Sequence, residues 1–261
     1  MIVGAAQVDV TPTGIVELSG YAARTQPMVG VLDPIYAQAL YLECGGKKLL
    51  WLSLDVLALS HAFVASFRRW ARNELSIPDI LLSATHTHAA PAVVELTGCG
   101  RCDEAYLHLL QERSRKAARE AVERAEKAQM VFAQVELPLA VDRRERPSAH
   151  VDSTLSAIGW KRANGQFIAT LLNYPMHPVS LGHVNRQVSA DWPACNAVFR
   201  VIATVEQISA ALVRALQRSA ATGTPDSEAR SLARKIFANS EGIRLYAALN
   251  SVVAERALSI F

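Results

Sequence analysis

Asp79-Ile-Leu-Leu-Ser-Ala-Thr-His-Thr-His-Ala-Ala-Pro91 is the stretch on which the reading of this chain turns. Its first half is a short apolar run, the pattern of a buried strand, and its last residue is a proline that cannot continue one. His86 and His88 stand two residues apart where the run ends. In extended backbone both imidazoles point to one side of the sheet, roughly 6.5–7 Å apart along the strand. Two neutral imidazoles converging at a strand end suit a borderline-soft cation such as zinc. The same spacing also fits polar rings that are hydrogen-bonded at a strand terminus.

Upstream, Ile2–Thr11 alternates weakly and ends at Thr-Pro, as a first strand does. Thr13–Val31 is a loop rich in glycine and polar residues that carries Arg24. Pro34–Glu43 and Lys47–Asp55 read as strands joined by Gly45-Gly46, a two-residue hairpin signal that predicts antiparallel pairing. Asp55, a charge closing an apolar strand, is a candidate support for the site, because a buried carboxylate needs a partner. Ser60 reads as the N-cap of a helix with Phe63, Val64, Phe67 and Trp70 on its apolar face. That helix breaks at Ile77-Pro78, and the chain then enters the strand that carries Ser83.

Downstream, Pro91–Cys102 is a glycine-containing loop expected to wall a pocket beside His86. Asp103–Gln129 has the apolar spacing of a long amphipathic helix, with interleaved charges on its solvated face. Met130–Leu137 is a strand, followed by the basic stretch that includes Arg143, Arg144 and Arg146. Leu155–Trp160 and Gln166–Tyr174 form a second hairpin around Asn164-Gly165. The latter strand leads into His177, so strands end in histidine twice. From Cys195 onward only helical spacing is found. The expectation is an α/β fold of mixed β-sheets flanked by helices, with a helical C-terminal tail: residues 1–193 as one domain and 194–261 as the tail.

Composition narrows the function classes. The 261 residues carry 27 basic and 24 acidic side chains, a balance of +3. That is too mild to predict a nucleic-acid partner. No run of eighteen apolar residues exists, so no integral membrane segment is expected. The N-terminus lacks a basic region followed by an apolar one, which reads as no signal peptide and a cytoplasmic chain as given. Cys99-Gly-Arg-Cys102 is a CxxC without a second ligand pair; loop thiols are the default reading, and a redox pair is the alternative.

The motifs in order are more specific than their spacing. Ser83-Ala-Thr-His-Thr-His-Ala-Ala-Pro91 resembles the histidine signature of the neutral (non-lysosomal) ceramidase family, which usually reads SATHTHSGP. Gly4-Ala-Ala-Gln-Val-Asp-Val-Thr-Pro12, Gly20-Tyr21-Ala, Asp33-Pro-Ile-Tyr-Ala-Gln-Ala-Leu40 and Ser53-Leu-Asp55 resemble its earlier segments. Asn173-Tyr-Pro-Met-His-Pro178 and Ser189-Ala-Asp-Trp-Pro193 resemble its later ones. The resemblance implies a zinc-dependent amide hydrolase acting on a small-molecule N-acyl amide or lipid. It implies His86 and His177 as zinc ligands, with His88 beside the metal-bound water or the substrate. It further implies Asp191 as a nearby acid or a partner orienting an imidazole, and Arg143 as a contact to substrate oxygen. The family's glycine-rich segment after SADWPG, its glutamate in a PGE-like turn and its later tyrosine are not found. The expectation is therefore a zinc site with slow or absent turnover. The alternative is a non-catalytic scaffold that binds a metal or a small ligand.

Overall fold

The computed structural model describes residues 1–137, 140 and 151–193. The expectations for Arg143, Cys195 and the tail 194–261 lie outside these residues. The described chain runs β1 (Ile2–Asp9), β2 (Gly30–Val31), β3 (Tyr36–Cys44), β4 (Lys47–Leu54), α1 (His61–Leu75), β5 (Asp79–Ala84), α2 (Glu104–Glu123), β6 (Glu126–Lys127), β7 (Gln129–Glu136), β8 (Thr154–Lys161), β9 (Phe167–Asn173) and β10 (Gln187–Val188). The α/β class with mixed sheets holds.

A five-stranded sheet in the order β5-β4-β3-β1-β6 is the centre of the structure. Its β1–β3 and β3–β4 pairs are antiparallel, and the latter turns at Gly45 and Gly46, both at positive φ as a two-residue hairpin demands. The β4–β5 pair is parallel because α1 crosses between them. Ser60 caps α1 by accepting from the Phe63 amide, and Asp103 caps α2 by accepting from that of Tyr106.

Period-two alternation gives this sheet two buried faces. Val10, Ala37, Ala39, Leu50, Leu52 and Leu54 point to the helices and pack with Phe67, Leu110, Ala117 and Ala121. Val3, Ala5 and Leu40 point the other way, onto Trp160, Ile168 and Ala169 of the antiparallel β7-β8-β9 sheet. The order of layers is therefore helices, five-stranded sheet, three-stranded sheet. Among the described residues the helices cover one side only.

α2 ends at Glu123, six residues before its expected end. Its charge pattern continues, but Glu126–Lys127 leave the helix to pair with Ile2 and Val3 at the sheet edge. α2 also lies unusually close to β1. A Cβ built on Gly4 would fall 1.9 Å from the Ala121 carbonyl oxygen and 2.9 Å from the Ala125 Cα. Both obstacles are backbone, so no side chain can move aside. Gly4→Ala is expected to destabilise the domain by roughly 1–3 kcal/mol, the cost of overpacking. Urea unfolding reads this directly, and an unchanged midpoint would show that helix and strand can separate freely.

Candidate active site in an imidazole-lined cleft

β5 stops at Ala84, before the histidines. His86 has a φ of 65° and thus leaves the extended region that the spacing assumed. The backbone amides of Thr85 and His86 donate to the carbonyls of Leu54 and Val56, so the segment after β4 holds this turn. On the other side, Thr87 is fully buried and its hydroxyl donates to the Ser189 carbonyl at 2.8 Å. The imidazoles converge because both flanks of the turn are tied down, rather than because a strand continues.

His177 follows β9 and meets them. Ring centroids are 5.0 Å apart for His86 and His88, 5.0 Å for His86 and His177, and 4.7 Å for His88 and His177. The Nε2 of His88 is 3.5 Å from that of His86 and 3.0 Å from that of His177. Nitrogens at the corners of a tetrahedron with metal–nitrogen bonds of 2.0–2.1 Å are about 3.3 Å apart, so the spacing suits one ion shared by the three rings. All three offer a ligand atom within 4.8 Å of the others.

Tautomers strengthen this fit. The His86 Nδ1 is 2.7 Å from the Leu57 carbonyl oxygen, and the His88 Nδ1 is 2.8 Å from that of Gly20. A carbonyl only accepts, so each Nδ1 carries a proton, which in the neutral tautomer leaves a bare Nε2 lone pair facing inward. Two such lone pairs 3.5 Å apart repel unless a cation sits between them. Backbone carbonyls that fix a ligating histidine in this way are a usual support of metal sites. Burial first, then the neighbouring His177, pushes the His88 pKa down to about 4, so this ring is neutral at neutral pH.

The rest of the support comes from Arg24, Gly20 and Asp191. Arg24 is buried and gives its guanidinium to three carbonyls: Asn185 at 2.9 Å, Ser19 at 3.0 Å and His88 at 2.8 Å. Gly20, at a φ of 107°, lies so close to His88 that an added Cβ would be 2.6 Å from its Cβ, Cγ and Nδ1. Asp191 is buried, at a φ of 61°. Its carboxylate accepts from the Ser180 amide and hydroxyl and from the Leu181 amide, which fixes the turn after His177. These bonds of Asp191 reach the loop that follows an imidazole rather than its ring.

His86 and His177 stand on the rim of a cleft of about 460 Å³ between the two sheets. Gln38, Ser53 and Ser83 of the five-stranded sheet form its floor, and Asn173–Pro178 with Trp192 form its wall. The Pro91–Cys102 loop does not line it. That loop turns away to pair Pro91 with Leu18 and to give the Ala92 amide to the Glu17 carbonyl. Asp55 does line the cleft and is 2% exposed, with one carboxylate oxygen accepting from the Tyr36 amide at 2.9 Å. Burial, with a smaller contribution from Asp33, pushes its pKa up to about 7. Cys99 and Cys102 are unpaired, and burial with Glu95 beside it pushes the Cys102 thiol up to about 12. A thiol held so firmly protonated is a poor nucleophile.

Fold and cleft define an α/β domain with a three-histidine candidate metal centre at the junction of its two larger sheets. The chain belongs to the neutral/alkaline non-lysosomal ceramidase family, whose N-terminal region matches residues 1–219. That match runs past Pro193, where the recognisable motifs stop. The fold is similar to a crystal structure of neutral ceramidase from Pseudomonas aeruginosa and to one of a ceramidase complexed with C2. In both comparisons the TM-score is 0.67 and the identity 20%, over 74% of this chain. The chain spans about a third of those structures, 34% of each. No curated protein sequence matches it significantly. Among the described residues, no helix is long and apolar enough to cross a membrane.

Proposed function

We propose that this chain is a zinc-dependent amide hydrolase of the neutral ceramidase type, acting on an N-acylsphingosine-like N-acyl amide. The observation that carries the reading is the pair of Nδ1–H donations to Leu57 and Gly20, which aim two Nε2 lone pairs at one point. His86 and His177 hold the metal, and His88 completes the cluster on the side of the water or substrate. Zinc supplies a polarised carbonyl and a bound water whose pKa falls to about 7. His88, kept neutral by burial and with its ring fixed by Gly20, turns its Nε2 lone pair to the same point and can serve as a third ligand. Asp191 keeps the turn after His177 in place. Arg143 is assigned the substrate oxygen on motif order.

The test is to measure zinc content and hydrolysis of short N-acyl amides and of ceramide for the wild type, His86→Ala and His177→Ala. Slow turnover that chelation removes, zinc restores and either substitution abolishes is the expected result. Each loss of 1.36 kcal/mol of transition-state stabilisation is tenfold in rate, so a missing ligand should cost several powers of ten. Bound zinc without turnover would leave a metal-binding scaffold of the same family, and a wild type that takes up no zinc would leave only a scaffold for a small ligand.

A further inference from the structure

The floor of the cleft is a row in cross-strand register. Gln7 pairs with Gln38, Gln38 with Ser53, and Ser53 with Ser83, so four neighbouring strands each place a polar residue on the same face. The adjacent row on that face is Ala5, Leu40, Trp51 and Leu81, which is entirely apolar. Ala5, Leu40 and Trp51 of the apolar row pack with the three-stranded sheet, while Gln38, Ser53 and Ser83 open into the cleft. Gln38 is 6% exposed, and it lines the cleft. Ser83 accepts from the Trp51 indole at 2.9 Å, which leaves its hydroxyl proton to be directed into the cleft.

We propose that Gln38, Ser53 and Ser83 form a binding subsite for an uncharged, hydroxyl-bearing portion of the substrate. The row offers amide and hydroxyl groups, which both donate and accept, and it holds no cationic side chain that would select an anion. Apolar chains gain nothing there, since they would leave Gln38 unsatisfied. The inference rests on the cleft being the substrate site, and not on zinc or on turnover.

Three small amides probe it by ligand titration in nuclear magnetic resonance. N-(2-hydroxyethyl)acetamide carries its hydroxyl on the amine side, N-ethylglycolamide carries it on the acyl side, and N-propylacetamide has none. One hydroxylated amide should bind roughly three- to tenfold more tightly than N-propylacetamide, the worth of one neutral hydrogen bond, and which of the two does so assigns the side. Gln38→Leu should erase the advantage. Ser53→Ala, a smaller change, should reduce it and guards against misfolding of the first variant, with far-ultraviolet circular dichroism checking both. Equal binding of all three amides, no binding of any, or an advantage that survives both substitutions would overturn the subsite. Discrimination by a protein that hydrolyses nothing would retain the subsite and remove the amidase reading.

Discussion

Gly20→Ala should weaken zinc binding by about 10- to 100-fold, as loss of a group that supports a ligating histidine does. Two costs combine. Alanine at a φ of 107° is strained, and its Cβ would sit 2.6 Å from three atoms of His88. The His88 ring must swing away or the Gly20 segment must retreat, and either movement breaks the bond from Nδ1 to the Gly20 carbonyl. The inward lone pair is then no longer aimed. Gly45→Ala is the control, because Gly45 also has positive φ, at 57°, but has open space around it. That variant should lose a little stability and no metal affinity. Zinc competition against a chromogenic chelator measures both, and a Gly20→Ala protein that binds as tightly as the wild type would remove the carbonyl from the design.

Asp55→Asn should flatten the dependence of stability on pH. The carboxyl titrates at about 7 in the folded protein, above its ordinary value of 3.8. Between those values the folded state holds a proton that the unfolded chain has released, so stability falls as pH rises through the window. Above pH 7 both states are ionised and the full cost of burying the charge remains. At 1.36 kcal/mol per unit, the window is worth roughly 2–4 kcal/mol. Asparagine keeps an acceptor for the Tyr36 amide and carries no charge. The variant should therefore match the wild type near about pH 4 and exceed it by that amount near about pH 8. Denaturant unfolding across this range decides the matter; parallel profiles would show that Asp55 does not titrate there.

Much of the fold was legible because alternation and turns are local. Gly45-Gly46 marked a true two-residue turn, and Asn164-Gly165 a hairpin whose loop is longer, closed by bonds between Arg162 and Gln166. The end of α2 was misread because Glu126 and Lys127 continue a helical charge pattern while their backbone is claimed by β1. β2 and β10 escaped notice for a like reason, since each is two residues long and exists only by pairing with the other. His86, His88 and His177 could be picked out as chemistry-bearing types at strand ends. The carbonyls of Leu57 and Gly20 could not, because a main-chain oxygen has no sequence signature. Arg24 was visible only as a charge in a loop, and its three carbonyl partners come from sequence positions up to 161 residues away.

Those long spans set an order of events during folding. Arg24 joins Ser19, His88 and Asn185, so its bonds close only when the first, middle and last parts of the described chain have come together. Non-local contacts of this kind form late, after the hairpins and helices that need only nearby residues. On a ribosome, the β1–β3–β4 core and α1 can assemble while Asn185 is still unmade. His86 and His88 are then already synthesised, without Arg24 locked beneath them and without His177 opposite. The imidazole cluster is thus a product of the finished domain, and a nascent chain halted before residue 177 would contain the signature motif but no site.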